Sequence, residues 1–449
     1  MRDILASVAA LLLSIGLLLL ATGLLGTLLG VRMAMEGFPL SVSGLVMSAY
    51  FAGLAAGSLW CRGIIRRVGH IRAFAVFASL MSVAALAHAY AISAPTWGVL
   101  RALTGFCTAG LYMVTESWLN ARANNRTRGQ ILSLYMVTTF LGLGAGQFLL
   151  ALGDPRAFVL FGLASILFSL GLVPVALTRA SAPVLERASQ LGFRRLYALS
   201  PLGVIGALGA GLLSSAILGM GPIFARDIGM SLTEVSQFMG VSILGGLVLQ
   251  WPIGRLSDHF DRRTVIVGVC VAIAAIAAII AGAAHGPELR LLVLGGLFGG
   301  FAFTVYALSV AHANDFAEPD DLVEVSGGLI LAYGIGAALG PVAAAGFMDS
   351  LGPSGLFVYL ALVAALLAAF ALYRMARREA VPVAEQGPYV PLLRTTAEAS
   401  QLDPRGEPAA AVDYGEETGI LATEPAGPGP YRADEEHAKT DEPGGPAGR

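Results

Sequence analysis

Residues 1–30 read MRDILASVAALLLSIGLLLLATGLLGTLLG. A helix needs about 20 apolar residues to cross a bilayer core of roughly 30 Å, and this run supplies them. It is too long for a signal-peptide core and has no clear Ala-x-Ala cleavage site, so it reads as a retained first span. Comparable stretches recur near 5–30, 40–61, 72–93, 96–119, 129–151, 156–178, 198–222, 232–253, 264–284, 289–312, 323–347 and 353–374, twelve in all. Only helices and closed barrels satisfy their backbone groups in lipid, and these stretches are too long for barrel strands. The fold class is therefore an all-α membrane protein with twelve transmembrane helices. Composition agrees: of 449 residues 56% are hydrophobic and 13% charged, against about 25% charged in a soluble domain.

Arginine placement sets the orientation. With the N-terminus inside, eighteen arginines fall on cytoplasmic segments, and only Arg32, Arg156, Arg226 and Arg290 fall outside. The positive-inside rule then puts both termini in the cytoplasm. One lysine accompanies 27 arginines, a bias of GC-rich bacterial genomes, and the expected location is the bacterial inner membrane, multi-pass.

The segment 179–197 is the only internal break that reads as a linker, and it divides a first half (1–178) from a second (198–375). The halves echo one another. An offset of 194 lays Tyr112 on Tyr306, Asn120 on Asn314 and Gly146 on Gly340, while 192 superposes the basic loops after the second and eighth spans. Two six-helix pseudo-repeats in parallel are the plan of major facilitator transporters. From 376 to 449 the chain is rich in Pro, Gly and acid without hydrophobic periodicity, and it reads as a disordered, solvated cytoplasmic tail.

After the eighth span stands GRLSDHFDRR. Gly254 permits close helix approach, Asp258 can cap or pair at a helix end, and Arg262 and Arg263 can latch the facing helix. The first-half loop RGIIRRVGHIR puts Arg66 where the aspartate should be. Glu116, embedded near the inner end of the fourth span, is the obvious acidic partner. An embedded charge costs roughly 2.5–3.5 kcal/mol on insertion scales, so pairing with Arg128, or with the loop of Arg66 and Arg67, is expected when the cytoplasmic side is closed. Arg101 opens the same span roughly 22 Å away at 1.5 Å per residue, too far to pair with Glu116. Polar and aromatic residues near mid-membrane, namely Tyr50, Tyr112, Gln147, Gln250, Trp251, Tyr306 and Tyr333, are candidates for a substrate path. His312 titrates near neutrality and could sense protons, or simply cap a helix end. No carboxylate lies near the centre of a span, which favours a neutral or amphipathic solute over a strongly cationic one.

The GRLSDHFDRR loop resembles the loop signature of the major facilitator superfamily, and Arg101–Gly105 (RALTG) resembles its second signature, an arginine four residues before a glycine. The second resemblance implies a part in proton coupling for Arg101. A Gly-Pro signature of many drug antiporters is absent from the fifth span, where Gln147 replaces the proline. Together ESWLN, QWPIGRLSDHFDRR and AHAND resemble the YcaD-like branch of bacterial permeases across residues 5–374. That resemblance implies secondary active transport of a small solute by alternating access, proton-coupled, in a monomer within the lipid bilayer. Efflux of amphipathic compounds and a non-transporting scaffold or sensor are the competing readings.

Other classes are disfavoured. A P-loop needs a lysine, and the only one is Lys439 in the tail. Six scattered histidines form no catalytic constellation, so no enzyme is expected. Cys61, Cys107 and Cys270 lack metal-ligand spacing, so no metal or cofactor is implied, and no nucleic-acid partner is expected.

Overall fold

The computed structural model describes residues 2–124, 126–177, 192–282, 288–318 and 321–403. These form α1 (Arg2–Met35), α2 (Leu40–Val68), α3 (His70–Tyr90), α4 (Ala94–Arg122), α5 (Arg128–Phe148), α6 (Phe158–Ala176), α7 (Phe193–Leu199), α8 (Pro201–Asp227), α9 (Leu232–His259), α10 (Arg262–Gly282), α11 (Glu288–Ala302), α12 (Val305–Asn314), α13 (Leu322–Leu351) and α14 (Gly355–Met375). The tenth expected span is thus two helices, interrupted at Phe303 and Thr304. Counting 288–314 as one, eleven stretches among the described residues are long and apolar enough to cross a membrane. The exception is α4. Its 29 residues suffice in length, but Arg101, Glu116, Arg122 and several threonines dilute its apolar character, because much of the helix faces the bundle interior.

Side-chain caps start several helices. Ser93 accepts the amide of Thr96 at α4, Ser200 that of Gly203 at α8, and Ser231 with Glu234 forms a capping box at α9. The helix ends reveal the repeat. α1 closes at Gly37 (φ 70°), with the amide of Phe38 donating to Met33 O, and α8 closes at Gly229 (φ 93°), with Met230 donating to Ala225 O. Each is the left-handed glycine cap that reverses a helix, and the two lie 192 residues apart.

Helix pairing repeats as well. α2 packs on α4, α1 on α5 and α3 on α6; in the second half α9 packs on α11, α8 on α13 and α10 on α14. A β-carbon at Gly105 would overlap the carbonyl oxygen of Tyr50, and one at Gly299 would overlap that of Ser242. Glycine is thus what lets α4 and α11 meet the backbones of α2 and α9.

The halves touch directly at one end of the bundle. A β-carbon at Gly30 would stand 3.0 Å from Pro222, and Gly44 lies against Pro341 and Ala345. At the opposite, basic end, which holds Arg62, Asn120, Asp258 and Arg262, the gap between them is filled by chain.

That filling corrects the expectation of a solvated tail from 376 onward. Residues 376–403 are described, with short 3-10 turns at Val383–Glu385 and Ala397–Leu402, and Val390, Leu392, Leu393 and Leu402 are buried. Residues 404–449 lie outside the described residues. So do 178, the last residue of the first half, and 179–191 of the expected linker; α7 begins in the linker's remainder, and its buried Leu196 rests against Gly328.

Candidate functional site

A cavity of about 120 Å³ lies between the halves. Thr22 and Thr27 of α1, Tyr50 of α2, Arg101 and Tyr112 of α4, Gln147 of α5 and Tyr333 of α13 line it beside apolar Phe51, Phe140 and Ile243. Leu393, Arg394 and Thr395 form the wall towards the basic end.

Arg101 is 5% exposed and stands 4.3 Å over the ring of Tyr50. Its Nε is buried without a hydrogen-bond partner, and no carboxylate pairs with it among the described residues. Gln147 is largely consumed structurally. Its amide donates to Gly23 O and Leu143 O at 3.1 and 3.0 Å and accepts from the Thr27 hydroxyl, tying α5 to α1.

Of the other proposed path residues, Tyr50, Tyr112 and Tyr333 line the cavity. Tyr333 shares a 2.8 Å hydrogen bond with Ser214, and Tyr306 packs edge-on behind it at 5.3 Å. Gln250 points instead to the basic end, donating to the Tyr389 hydroxyl at 2.7 Å. Trp251 does not face the cavity. It is 64% exposed on the outside of the bundle with Arg255 stacked on it, because consecutive helical residues face different ways.

The second-half residues expected to act as a latch pair with groups of their own half. Arg262 Nη1 donates to both oxygens of Asp315 at 2.6 and 2.7 Å and to Ala311 O at 2.8 Å, joining the start of α10 to the end of α12. Arg263 pairs with Asp261 and donates to Arg378 O. Asp258 stands 3.9 Å from Arg262, and its carboxylate accepts the amide of Tyr389 at 2.6 Å. Gly254 makes room for the Tyr389 ring rather than for another helix. His312 lies at the end of α12 against Phe316, away from the cavity. Stepping back 192 and 194 residues, the first-half counterparts of Arg262 and Ala311 are His70 and Ser117, which lie 3.1 Å apart.

Among the described residues Glu116 has no arginine partner; the basic end is filled by chain here, whereas the pairing with arginine is expected when that side is closed. Tyr135 donates to it at 2.8 Å, and the hydroxyls of Thr395 and Thr396 donate to its two oxygens. The chain's later residues have taken the place predicted for Arg128, Arg66 or Arg67. Arg66 and Arg67 are exposed, and Arg128 is buried with its Nε unpartnered.

The segment 387–403 was not anticipated. Glu398 pairs with Arg62, while its carbonyl accepts from Asn120 at 2.7 Å. Arg394 lies 4.6 Å over Phe303. Burial pushes the Glu398 carboxyl above the ordinary carboxylate range, with Arg62 opposing the shift. Burial likewise pushes the Tyr389 phenol up, against the pull of Arg262. The available signal was YVPLLRTTAEASQL (389–402), a mostly uncharged, partly apolar island in an acidic tail.

Comparison with known proteins bears on this geometry. Residues 202–408 match the Major Facilitator Superfamily family model. A protein of Escherichia fergusonii described as an uncharacterized MFS-type transporter, YcaD, is 30% identical over 344 residues, covering 76% of this chain and 88% of its own length. The YcaD of Shigella flexneri serotype 5b is 29% identical over 323 residues, covering 71% and 83%. Among solved structures, a mutant of the nucleoside transporter NupG superposes with a TM-score of 0.71 at 14% identity, over 82% of this chain and 99% of that one. A bacterial homologue of the human lysosomal transporter Spinster, inward-facing and unoccupied, gives 0.64 at 15% identity, over 91% and 99%. At such identities the likeness is one of fold.

Proposed function

The chain belongs to the major facilitator superfamily, and from that premise we propose that it is a secondary active transporter of a small amphipathic solute bearing an anionic group. The central cavity is the site exposed alternately to either side. The whole cavity lies within one chain, which favours a monomeric working unit.

One observation carries the substrate class: Arg101, buried on the cavity wall without a carboxylate. A guanidinium inside a membrane bundle costs roughly 2.5–3.5 kcal/mol or more unless compensated. The stacking on Tyr50 returns only about 0.5–2 kcal/mol. A carboxylate, sulfonate or phosphate on the solute would supply the missing partner in the planar, two-pronged geometry that guanidinium favours. The apolar lining at Phe51, Phe140 and Ile243 suits a hydrophobic body attached to that anion. This keeps the amphipathic part of the sequence-based expectation and departs from its neutral part, which weighed only the missing central carboxylates.

The wider reading follows the same lines. We take α4 as a twelfth span, the protein as resident in the bacterial inner membrane, and the basic end, with both termini, as cytoplasmic by the arginine bias. Close packing around Gly30 and Gly44 then seals the outer side. Proton coupling would run through Arg101 on the cavity wall; His312, which lies off it, is the weaker candidate.

A proteoliposome screen of matched anionic, neutral and cationic amphipathic solutes, with and without an imposed proton gradient, tests the proposal. Gradient-stimulated flux of the anionic members is expected. Preference for a neutral isostere would overturn the substrate class, and indifference to the gradient would overturn coupling. A scaffold or sensor would move none of them. Direction, and hence efflux against uptake, is read from the sign of the same flux.

A further inference from the structure

We infer that the gap at the basic end is a peptide-binding site whose resident ligand is this chain's own residues 387–403, a tethered plug that must leave before the cavity can exchange solute. The docking is read from contacts alone; the consequence for flux rests on the transport reading.

The segment is held from both halves. On the first, Glu116 accepts from Thr395 and Thr396, and Arg62 pairs with Glu398. On the second, the amide of Gly387 donates to Asp315 at 3.2 Å, its carbonyl accepts from Arg262 at 2.7 Å, and Asp258 takes the amide of Tyr389. With the Glu398 carbonyl on Asn120, four main-chain groups are thus read, and the absence of a side chain at Gly254 admits the Tyr389 ring. These are the marks of a fitted peptide.

Between those anchors the segment passes beneath the cavity. Leu393, Arg394 and Thr395 are part of its wall, and Leu392 and Leu393 are buried. Solute entering from this end would have to displace them. Alternating access also requires the halves to close here once they open at the other end. A segment hydrogen-bonded to both and wedged between them blocks that closure. The tether keeps its effective concentration high, so modest contacts suffice for occupancy.

The test uses a chain with Cys61, Cys107 and Cys270 replaced by serine and Asn120→Cys introduced beside the Glu398 carbonyl, solubilised in detergent so that both faces are open to a maleimide. Truncation after Gln386 is expected to speed labelling by about tenfold or more, because protection reflects the closed population. Truncation after Asp403 should leave labelling slow. Synthetic 387–403 peptide added to the shorter chain should slow it again, and full-length T395V/T396V should fall between. Equal rates in all forms would overturn the docking.

In proteoliposomes, truncation after Gln386 should raise initial flux about fivefold or more over both longer chains, since only the unplugged fraction works. Faster labelling with unchanged flux would overturn the arrest. Faster labelling with no flux from any form would leave the docking standing and sink the transport reading instead.

Discussion

Arg262 holds Asp315 through both carboxylate oxygens at 2.6 and 2.7 Å, and the two side chains are 1% and 2% exposed. This pair fastens α10 to α12 and, through Gly387, to the segment that fills the basic end. Breaking a buried pair strands a charge, at a cost of roughly 3–5 kcal/mol, whereas replacing both partners by apolar groups is often near neutral. Asp315→Asn should therefore lower the melting temperature sharply in detergent, and the double replacement R262M/D315L should recover most of the loss. A single variant as stable as the parent would show that the pair contributes nothing.

Arg101 permits a kinetic prediction. If its guanidinium binds the solute's anion, Arg101→Gln should raise KM for an anionic solute by about 10–100-fold, the worth of a hydrogen bond to a charged group at roughly 1.5–3 kcal/mol. Arg101→Lys keeps the charge but loses the fork, and should lie between. Binding of a neutral isostere should hardly change. A fall in maximal rate at constant KM would assign Arg101 to coupling rather than to recognition.

Much of this was legible in the sequence because it is periodic or local. The apolar runs gave the helices, and the offsets of 192 and 194 recur in the caps at Gly37 and Gly229 and in the crossings at Gly105 and Gly299. The misreadings have definite causes. Trp251 and Gln250 are neighbours on a helix and so cannot share a face. Glu116 lies 279 residues from Thr395, and no pattern within one helix encodes a contact at that range. Thr395 itself sits in a segment whose average composition, dominated by Pro, Gly and acid further on, concealed fourteen residues of different character.

The glycine crossings predict a contrast within one residue type. Gly105→Ala and Gly299→Ala would each drive a methyl group into a backbone carbonyl, of Tyr50 and of Ser242. Overpacking of this kind costs about 1–3 kcal/mol and sometimes more, and backbone atoms cannot move aside as a flexible side chain can. Gly268, exposed on α10, has nothing within 4 Å of the corresponding position. Gly268→Ala should leave stability unchanged or raise it by about 0.5–1 kcal/mol through lost chain entropy. Thermal unfolding of the three purified variants decides the matter; equal behaviour would mean that α2–α4 and α9–α11 are not held as closely as described.

Docking of the 387–403 segment should also depend on pH, with a sign that can be worked out. Burial holds the docked Glu398 carboxyl above its ordinary value despite Arg62, and its Oε2 is buried without a hydrogen-bond partner. The released segment has an ordinary carboxyl, near about 4.3. Docking therefore takes up protons. The contribution of Glu398 is complete below the ordinary carboxylate range and is lost as pH rises through the raised value. Arg62 on α2 and Glu116 on α4 face this carboxyl from the first half. Calorimetric titration of the 387–403 peptide into the chain truncated after Gln386 should show weaker binding at about pH 7.5 than at about pH 5, and the same peptide with Glu398→Gln should show a flatter dependence. If the two peptides give the same slope, the proton is taken up elsewhere, with Glu116 the first residue to examine.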